Sequence, residues 1–166
     1  MAQTKLGENT VNTLGNLPAV GSTAPDFSLA GNDLKEVKLS DFRGKRVIIN
    51  IFPSIDTGVC ATSVREFNKR ATTLDNTVVL SISKDLPFAF RRFCGAEGID
   101  KVVTLSDFRN KGFSREFGME MTDGGMAGLL ARSIVVLDEK GVVRHTQVVP
   151  AIGQEPDYDA ALKALS

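Results

Sequence analysis

Two runs, RVIINIF at residues 46–52 and TVVLSIS at 77–83, constrain the fold more than any other feature of the chain. Both are continuous in apolar, largely β-branched residues, the pattern of a strand covered on both faces. Between them Val64, Phe67, Ala71 and Leu74 recur at helical spacing, which predicts a helix over 58–74.

The rest of the chain continues this alternation. LPFAFRRFCG (86–95) reads as a helix with Pro87 near its start and Gly95 placed to end it. KVVTL gives a short strand, and NKGFSREFG a short helix closed by Gly118. LLARSIVVLDEKGVVRHTQVV reads as two strands turned at DEKG, and EPDYDAALKAL as a final helix. Upstream, DFSLA and EVKLS joined by GNDL form a small hairpin, and the opening 25 residues suit a hairpin or an extended arm. Strands alternating with helices and then a hairpin predict a single α/β domain over 1–166, with a mixed central sheet.

Composition narrows the function classes. The 20 basic and 20 acidic residues balance, so there is no electrostatic footprint for nucleic acid or an anionic membrane. The polar start MAQTKLGENTVNTLGN has no apolar core of a signal peptide, and no run approaches the roughly 20 apolar residues of a membrane span. The expectation is a soluble cytoplasmic protein, where a lasting disulfide is unusual and a transient one signals redox function.

Cys60 lies four residues before Val64 and seven before Phe67, on the same inward face but in the opening turn of the helix. Thr57 is the expected N-cap, its hydroxyl facing the unpaired backbone N–H groups. A thiolate there meets free donors and the positive end of the helix dipole, both favouring the anion. Pro53 follows the strand directly, where it would stop the ladder and shield the sulfur from water. An inert buried thiol is the competing reading, and the nearby Thr and Pro favour function. An ordinary thiol is only about 3% ionised at neutral pH, and nucleophilicity falls as pKa falls. A fast thiol catalyst therefore needs help for the leaving group as well.

Arg132 is the candidate for that help. In LLARSIVVLD strict alternation places Leu130, Arg132, Ile134 and Val136 on one strand face. An arginine there needs an anion or a route to solvent. A thiolate would serve, and so would an acidic side chain or a snorkelling path to water. His145, the only histidine, alternates with Val143 and Gln147 and is a minor candidate for a base. One histidine and two cysteines 34 positions apart make a zinc site a poor fit. The glycines of DGGMAGL fit neither a dinucleotide fingerprint nor a P-loop and read as a flexible segment, while SDF and VREFNKR read as solvated helix faces. Cys94 sits at the predicted end of its helix, where fraying is cheap. It is the one other thiol able to trap a sulfenic acid at Cys60, although packing beside Phe90 and Phe93 explains it equally well.

NIFPSIDTGVCATSVR, DNTVVLSIS, DLPFAFRRFCGAEG, TLSDFRN, ARSIVVLDE and EPDYDAAL together resemble the bacterial thiol peroxidases, the atypical two-cysteine branch of the peroxiredoxins. The resemblance implies a thioredoxin-like fold with an added N-terminal β-hairpin, and a homodimer. It implies that Cys60 is the peroxidatic and Cys94 the resolving cysteine of one subunit. Pro53 would shield the thiol, Thr57 hydrogen-bond it and the peroxide, and Arg132 polarise both. Hydroperoxides would be the substrates and thioredoxin the reductant, with no metal, haem or flavin cofactor. A dithiol–disulfide oxidoreductase would want C-x-x-C where this chain has T-x-x-C. A peroxide sensor switching through the same two thiols is the non-enzymatic alternative.

Overall fold

In the computed structural model, which describes residues Met1–Ser166, β5 (Arg46–Ile51) runs through the middle of a seven-stranded mixed sheet. It pairs in parallel with β6 (Thr77–Ser83), Ile48 opposite Val79, and antiparallel with β8 (Ser133–Leu137), Ile49 opposite Val135. Val47, Ile49 and Ile51 enter the largest apolar cluster on one face of the sheet, whereas Ile48 joins a second cluster on the other. Two-sided burial is why the run does not alternate.

The remaining strands extend the sheet both ways. Beyond β6 come β7 (Val103–Ser106), in parallel, then β3 (Ser28–Ala30) and β4 (Glu36–Lys38), antiparallel. Beyond β8 lies β9 (Val143–Val148), antiparallel. The N-terminal segment forms a separate antiparallel hairpin of β1 (Gln3–Leu6) and β2 (Asn9–Asn12), whose Val11 packs into the largest cluster. Phe113 and Phe117, at either end of α3 (Phe113–Glu116), stack in that cluster and meet Phe27 edge-on.

The opposite face carries α1 (Gly58–Ala71), α2 (Pro87–Glu97) and α4 (Tyr158–Lys163). Phe67 of α1 and Ala161 of α4 close over Ile48, Val79, Ile134 and Val136. The start of α1 and the inner side of α2 share a smaller cluster of Phe52, Ile55, Cys60, Val64, Phe90 and Phe93. Asp157 caps α4, its carboxylate accepting the Ala160 N–H at 3.0 Å.

Several local expectations are corrected. α1 stops at Ala71, not at residue 74, with Thr72 as its C-cap. α2 runs through Gly95 and ends at Gly98, whose φ of 65° is the left-handed value a helix terminus favours. Cys94 is therefore inside the last turn. Its carbonyl accepts the N–H groups of Gly98 and Ile99. A β-bulge between Val136 and Leu137 in the β8–β9 ladder pairs Val143 with Leu137 and His145 with Val136. Val143 thus joins the large cluster, and His145 shares the opposite face with Gln147 instead of lying beside Val143. The DGGMAGL segment is held by turn hydrogen bonds, among them Ala127 to Gly124 and Gly128 to Met121, and a Cβ on Gly124 would strike Val11. SDF occurs twice: Asp41 is exposed, but Asp107 is buried against Lys84 and the Ser114 hydroxyl.

The two α2 glycines should respond oppositely to alanine. A Cβ on either meets open space, but Gly95 is helical and Gly98 left-handed. Gly95→Ala should stabilise the chain by about 0.5–1 kcal/mol, and Gly98→Ala should destabilise it by about 1–2 kcal/mol. Urea unfolding midpoints at constant slope check both.

Candidate active site

Pairing of Ile51 with Ser133 sets the end of β5 beside the start of β8. The chain leaves β5 through Phe52 and Pro53, turns over 54–57 and begins α1 at Gly58, with Thr57 as N-cap by backbone geometry. Cys60 is thus brought into the first turn of α1, and Arg132, one residue before β8, reaches it. One terminal guanidinium nitrogen lies 3.2 Å from the Cys60 sulfur.

The surroundings of Arg132 exclude both simpler readings of an arginine here. The side chain is 1% exposed, so it does not snorkel to water, and it has no carboxylate partner. Its Nε and Nη2 both donate to the Ile152 carbonyl, at 3.0 and 2.9 Å, while Nη1 is buried without any partner. A desolvated cation held by one carbonyl oxygen still lacks a counter-charge, and the sulfur is the nearest atom able to supply one.

Cys60 is itself fully covered, at 0% exposure, and Pro53, where the chain leaves β5, is buried. Thr57 is half-buried and Gly58 is exposed. The Thr57 hydroxyl departs from expectation. It makes no cap bond to the helix N–H groups and donates instead to the Ser54 carbonyl at 3.1 Å. With its proton committed there, the oxygen has lone pairs to offer to an incoming O–H. Ser63 donates to the Cys60 carbonyl at 2.8 Å and accepts from Asn50 at 3.2 Å, tying the first turn of α1 to β5.

Cys94 is half-buried at the margin of the apolar cluster that contains Cys60, and both thiols are free. Its sulfur is 4.0 Å from the Thr104 hydroxyl on β7. That hydroxyl also lies 2.8 Å from the Asn32 side-chain oxygen, and either partner can donate in its contact with Cys94. Burial pushes the Cys94 thiol up from its ordinary value, with Thr104 opposing. The His145 side chain has no hydrogen bond; its Nε2 is buried and unpartnered, and it is no partner of Cys60. No group of three or more His, Cys, Asp or Glu side chains is placed to hold a metal ion, and no helix is long and apolar enough to cross a membrane.

Sequence reasoning named Cys60, Cys94, Arg132, Thr57 and Pro53, of which the structure sets Arg132 against the Cys60 sulfur and Cys94 at the margin of the same apolar cluster. It missed the Ile152 carbonyl, Ser54, Ser63, Asn50 and Asp85, whose carboxylate accepts from Ser54 and Ile55. Only Asn50, a polar residue inside the otherwise apolar VIINIF, left a local signal.

A thiol at a helix start facing a buried arginine, on this sheet, defines a thiol-based redox protein, and comparison with known proteins agrees. The sequence profile of the Redoxin family matches residues 19–162. The chain belongs to that family, and within it to the thiol peroxidases. It is 56% identical to the thiol peroxidase of Mycobacterium tuberculosis over 99% of each chain, and 52% identical to that of Corynebacterium glutamicum over 100% of each. Among solved structures, a peroxiredoxin-like protein from Aquifex aeolicus superposes with a TM-score of 0.91 at 34% identity, covering 98% of this chain and 95% of that one. The thiol peroxidase from Chromobacterium violaceum shares the fold, with a TM-score of 0.89 at 21% identity over 97% and 93% of the two chains. The architecture is the thioredoxin-like fold of the peroxiredoxins, with the N-terminal hairpin added.

The raised Cys94 value has a direct readout. In Cys60→Ser protein, alkylation of Cys94 by iodoacetamide should need a higher pH than a free thiol does, and urea should bring it back to ordinary behaviour. The stability that goes with protonated, buried Cys94 is intact below the thiol's unfolded pKa and is lost as pH rises through the folded one. Mass spectrometry across pH checks the shift.

Proposed function

We propose that this thiol peroxidase reduces hydroperoxides, alkyl hydroperoxides and hydrogen peroxide among them, through a sulfenic acid on Cys60 and a Cys60–Cys94 disulfide in one subunit. The observation that carries the reading is the 3.2 Å contact between the Cys60 sulfur and an arginine with no carboxylate partner. A thiolate at Cys60 completes the charge balance of the buried guanidinium.

Peroxide enters past Thr57 and the exposed Gly58, where a small movement of the first turn of α1 uncovers the sulfur. The thiolate attacks the terminal peroxide oxygen in line with the O–O bond. That bond breaks, an S–O bond forms, and the departing alkoxide or hydroxide takes a proton from water. Charge growing on it is met by the unpartnered Nη1 of Arg132, while the Thr57 oxygen accepts the hydrogen on the attacked oxygen. This is electrostatic stabilisation of a developing oxyanion, where one lost donor costs about 10²–10³ in rate. Pro53 keeps bulk water from the sulfur.

Cys94 then attacks the sulfenic sulfur, forming the disulfide and releasing water, and a dithiol such as thioredoxin reduces it to regenerate both thiols. A sulfur–sulfur bond requires Cα atoms within about 7 Å, so α2 must unwind locally if the two start further apart. The chain works as one domain in a homodimer, without metal or organic cofactor, in the cytoplasm.

Turnover of hydroperoxide coupled to thioredoxin oxidation should vanish in Cys60→Ser, and full activity in that variant would end the proposal. Cys94→Ser should form a sulfenic acid, detected by dimedone adduct mass, yet fail to recycle with thioredoxin. Arg132→Met should slow Cys60 oxidation by about 10²–10³. The slowing should exceed what the thiolate fraction explains, so a deficit should persist at a pH where the thiol is fully ionised. Rescue by raised pH would show that Arg132 acts on ionisation alone.

A further inference from the structure

The turn between β5 and α1 is fastened to the start of α2 by one carboxylate. Asp85 follows β6 and precedes Leu86, the N-cap of α2. Its Oδ1 accepts the Ser54 hydroxyl at 2.8 Å, and its Oδ2 accepts the Ile55 N–H at 2.7 Å as well as the Ser83 hydroxyl. No cation pairs with Asp85: the neighbouring Lys84 is taken by Asp107 and Glu120. A half-buried carboxylate satisfied by neutral donors alone is held by their geometry, and charge-assisted bonds of this kind are among the stronger ones.

Ser54 passes that hold onward. Its hydroxyl accepts the Asp56 N–H, and its carbonyl accepts both the Thr57 N–H at 3.2 Å and the Thr57 hydroxyl at 3.1 Å. The Thr57 carbonyl in turn accepts the Ala61 N–H at 3.0 Å, the bond that closes the turn carrying Cys60. A continuous chain therefore runs from Asp85 through Ser54 to Thr57. It fixes which way the Thr57 oxygen presents its lone pairs.

We infer that Asp85 is a positioning residue for the peroxide step, acting through Ser54 on Thr57 without touching the sulfur or the substrate. The inference rests on the function proposed above. Because Asp85 sits where β6 turns into α2, the same carboxylate couples the peroxide-binding turn to the helix that bears Cys94.

The test uses full-length protein in a Cys94→Ser background, so that the first oxidation is seen alone. Stopped-flow rates of Cys60 oxidation by hydrogen peroxide are set beside rates of Cys60 alkylation by iodoacetamide, which needs an accessible sulfur but no bound peroxide. Asp85→Ala should slow oxidation about tenfold or more, the scale on which a small misplacement acts, while alkylation stays level or rises as the turn loosens. Asp85→Asn keeps one acceptor and should fall between Asp85→Ala and the native residue. Ser54→Ala should slow oxidation too, and adding it to Asp85→Ala should cost no more than twofold further, since both break one chain.

Native oxidation rates in Asp85→Ala, or losses from the two substitutions that multiply, overturn the inference. So does a parallel fall of oxidation and alkylation, the mark of a merely damaged fold. If Asp85→Ala does not fold, Asp85→Asn and Ser54→Ala give the same comparison. Absence of peroxide oxidation at Cys60 with Asp85 and Ser54 intact would instead bring down the proposed function, and this inference with it.

Discussion

A guanidinium buried without a carboxylate is costly, and the site is arranged around it. Desolvating such an ion costs several kcal/mol after relaxation, more than two bonds to a neutral carbonyl return. Arg132 is nonetheless 1% exposed, with the Ile152 carbonyl and the Cys60 sulfur as its partners. On the proposed mechanism a thiolate at Cys60 supplies the counter-charge this cation lacks, and removing the sulfur leaves the guanidinium with one neutral carbonyl.

The sheet makes this contact possible. Antiparallel pairing of β5 with β8 brings the exit of one strand to the start of the other, and the register Ile51–Ser133 does so to the residue. A one-residue slip would turn the outward set of side chains inward and carry the arginine to the other face. The apolar pattern alone would tolerate such a slip, but Ile48 and Ile49, each 0% exposed, pack among different side chains on opposite faces, and a slip would exchange them. The packing of the core thus fixes the distance between two polar groups at its rim.

The strands and helices were legible because their signals are local: two-sided apolar runs, helical spacing and Pro87 at the first turn of α2. Cys60 and Thr57 were placed correctly along the chain for the same reason. Side-chain direction was not. The Thr57 hydroxyl had a helix start available and a carbonyl three residues back, and the turn 54–57, held from outside by Asp85, decides for the carbonyl. His145 was assigned to the face of Val143 because strict alternation has no place for a bulge. Gly95 looked like a terminator, but Gly98 is the glycine whose φ a terminus requires. Asp85 gave no signal for this role, because its partners on the turn, Ser54 and Ile55, lie 31 and 30 positions upstream.

The two cysteines differ in how firmly they are held, and the difference follows the order in which the proposed chemistry needs them. Cys60 is fixed from several sides, by Arg132, by Ser63 on its carbonyl and by apolar cover. Cys94 is held at its carbonyl by Gly98 and Ile99, but its sulfur has one long polar contact, to Thr104, and lies at the margin of the cluster that contains Cys60, on a helix whose outer side exposes Phe88. An 11-residue helix is marginal by itself and owes its order to the face it buries. Asn50, Ser81 and Thr104 form a row across β5, β6 and β7 on that face, leaving the Asn50 carbonyl oxygen and the Ser81 hydroxyl buried without partners. Each unpaired polar atom removes part of the stabilisation an apolar contact there would give. That row lies on the face that carries the two cysteine-bearing helices. On the proposed mechanism, the rigid thiol meets the peroxide and the loosely seated one travels.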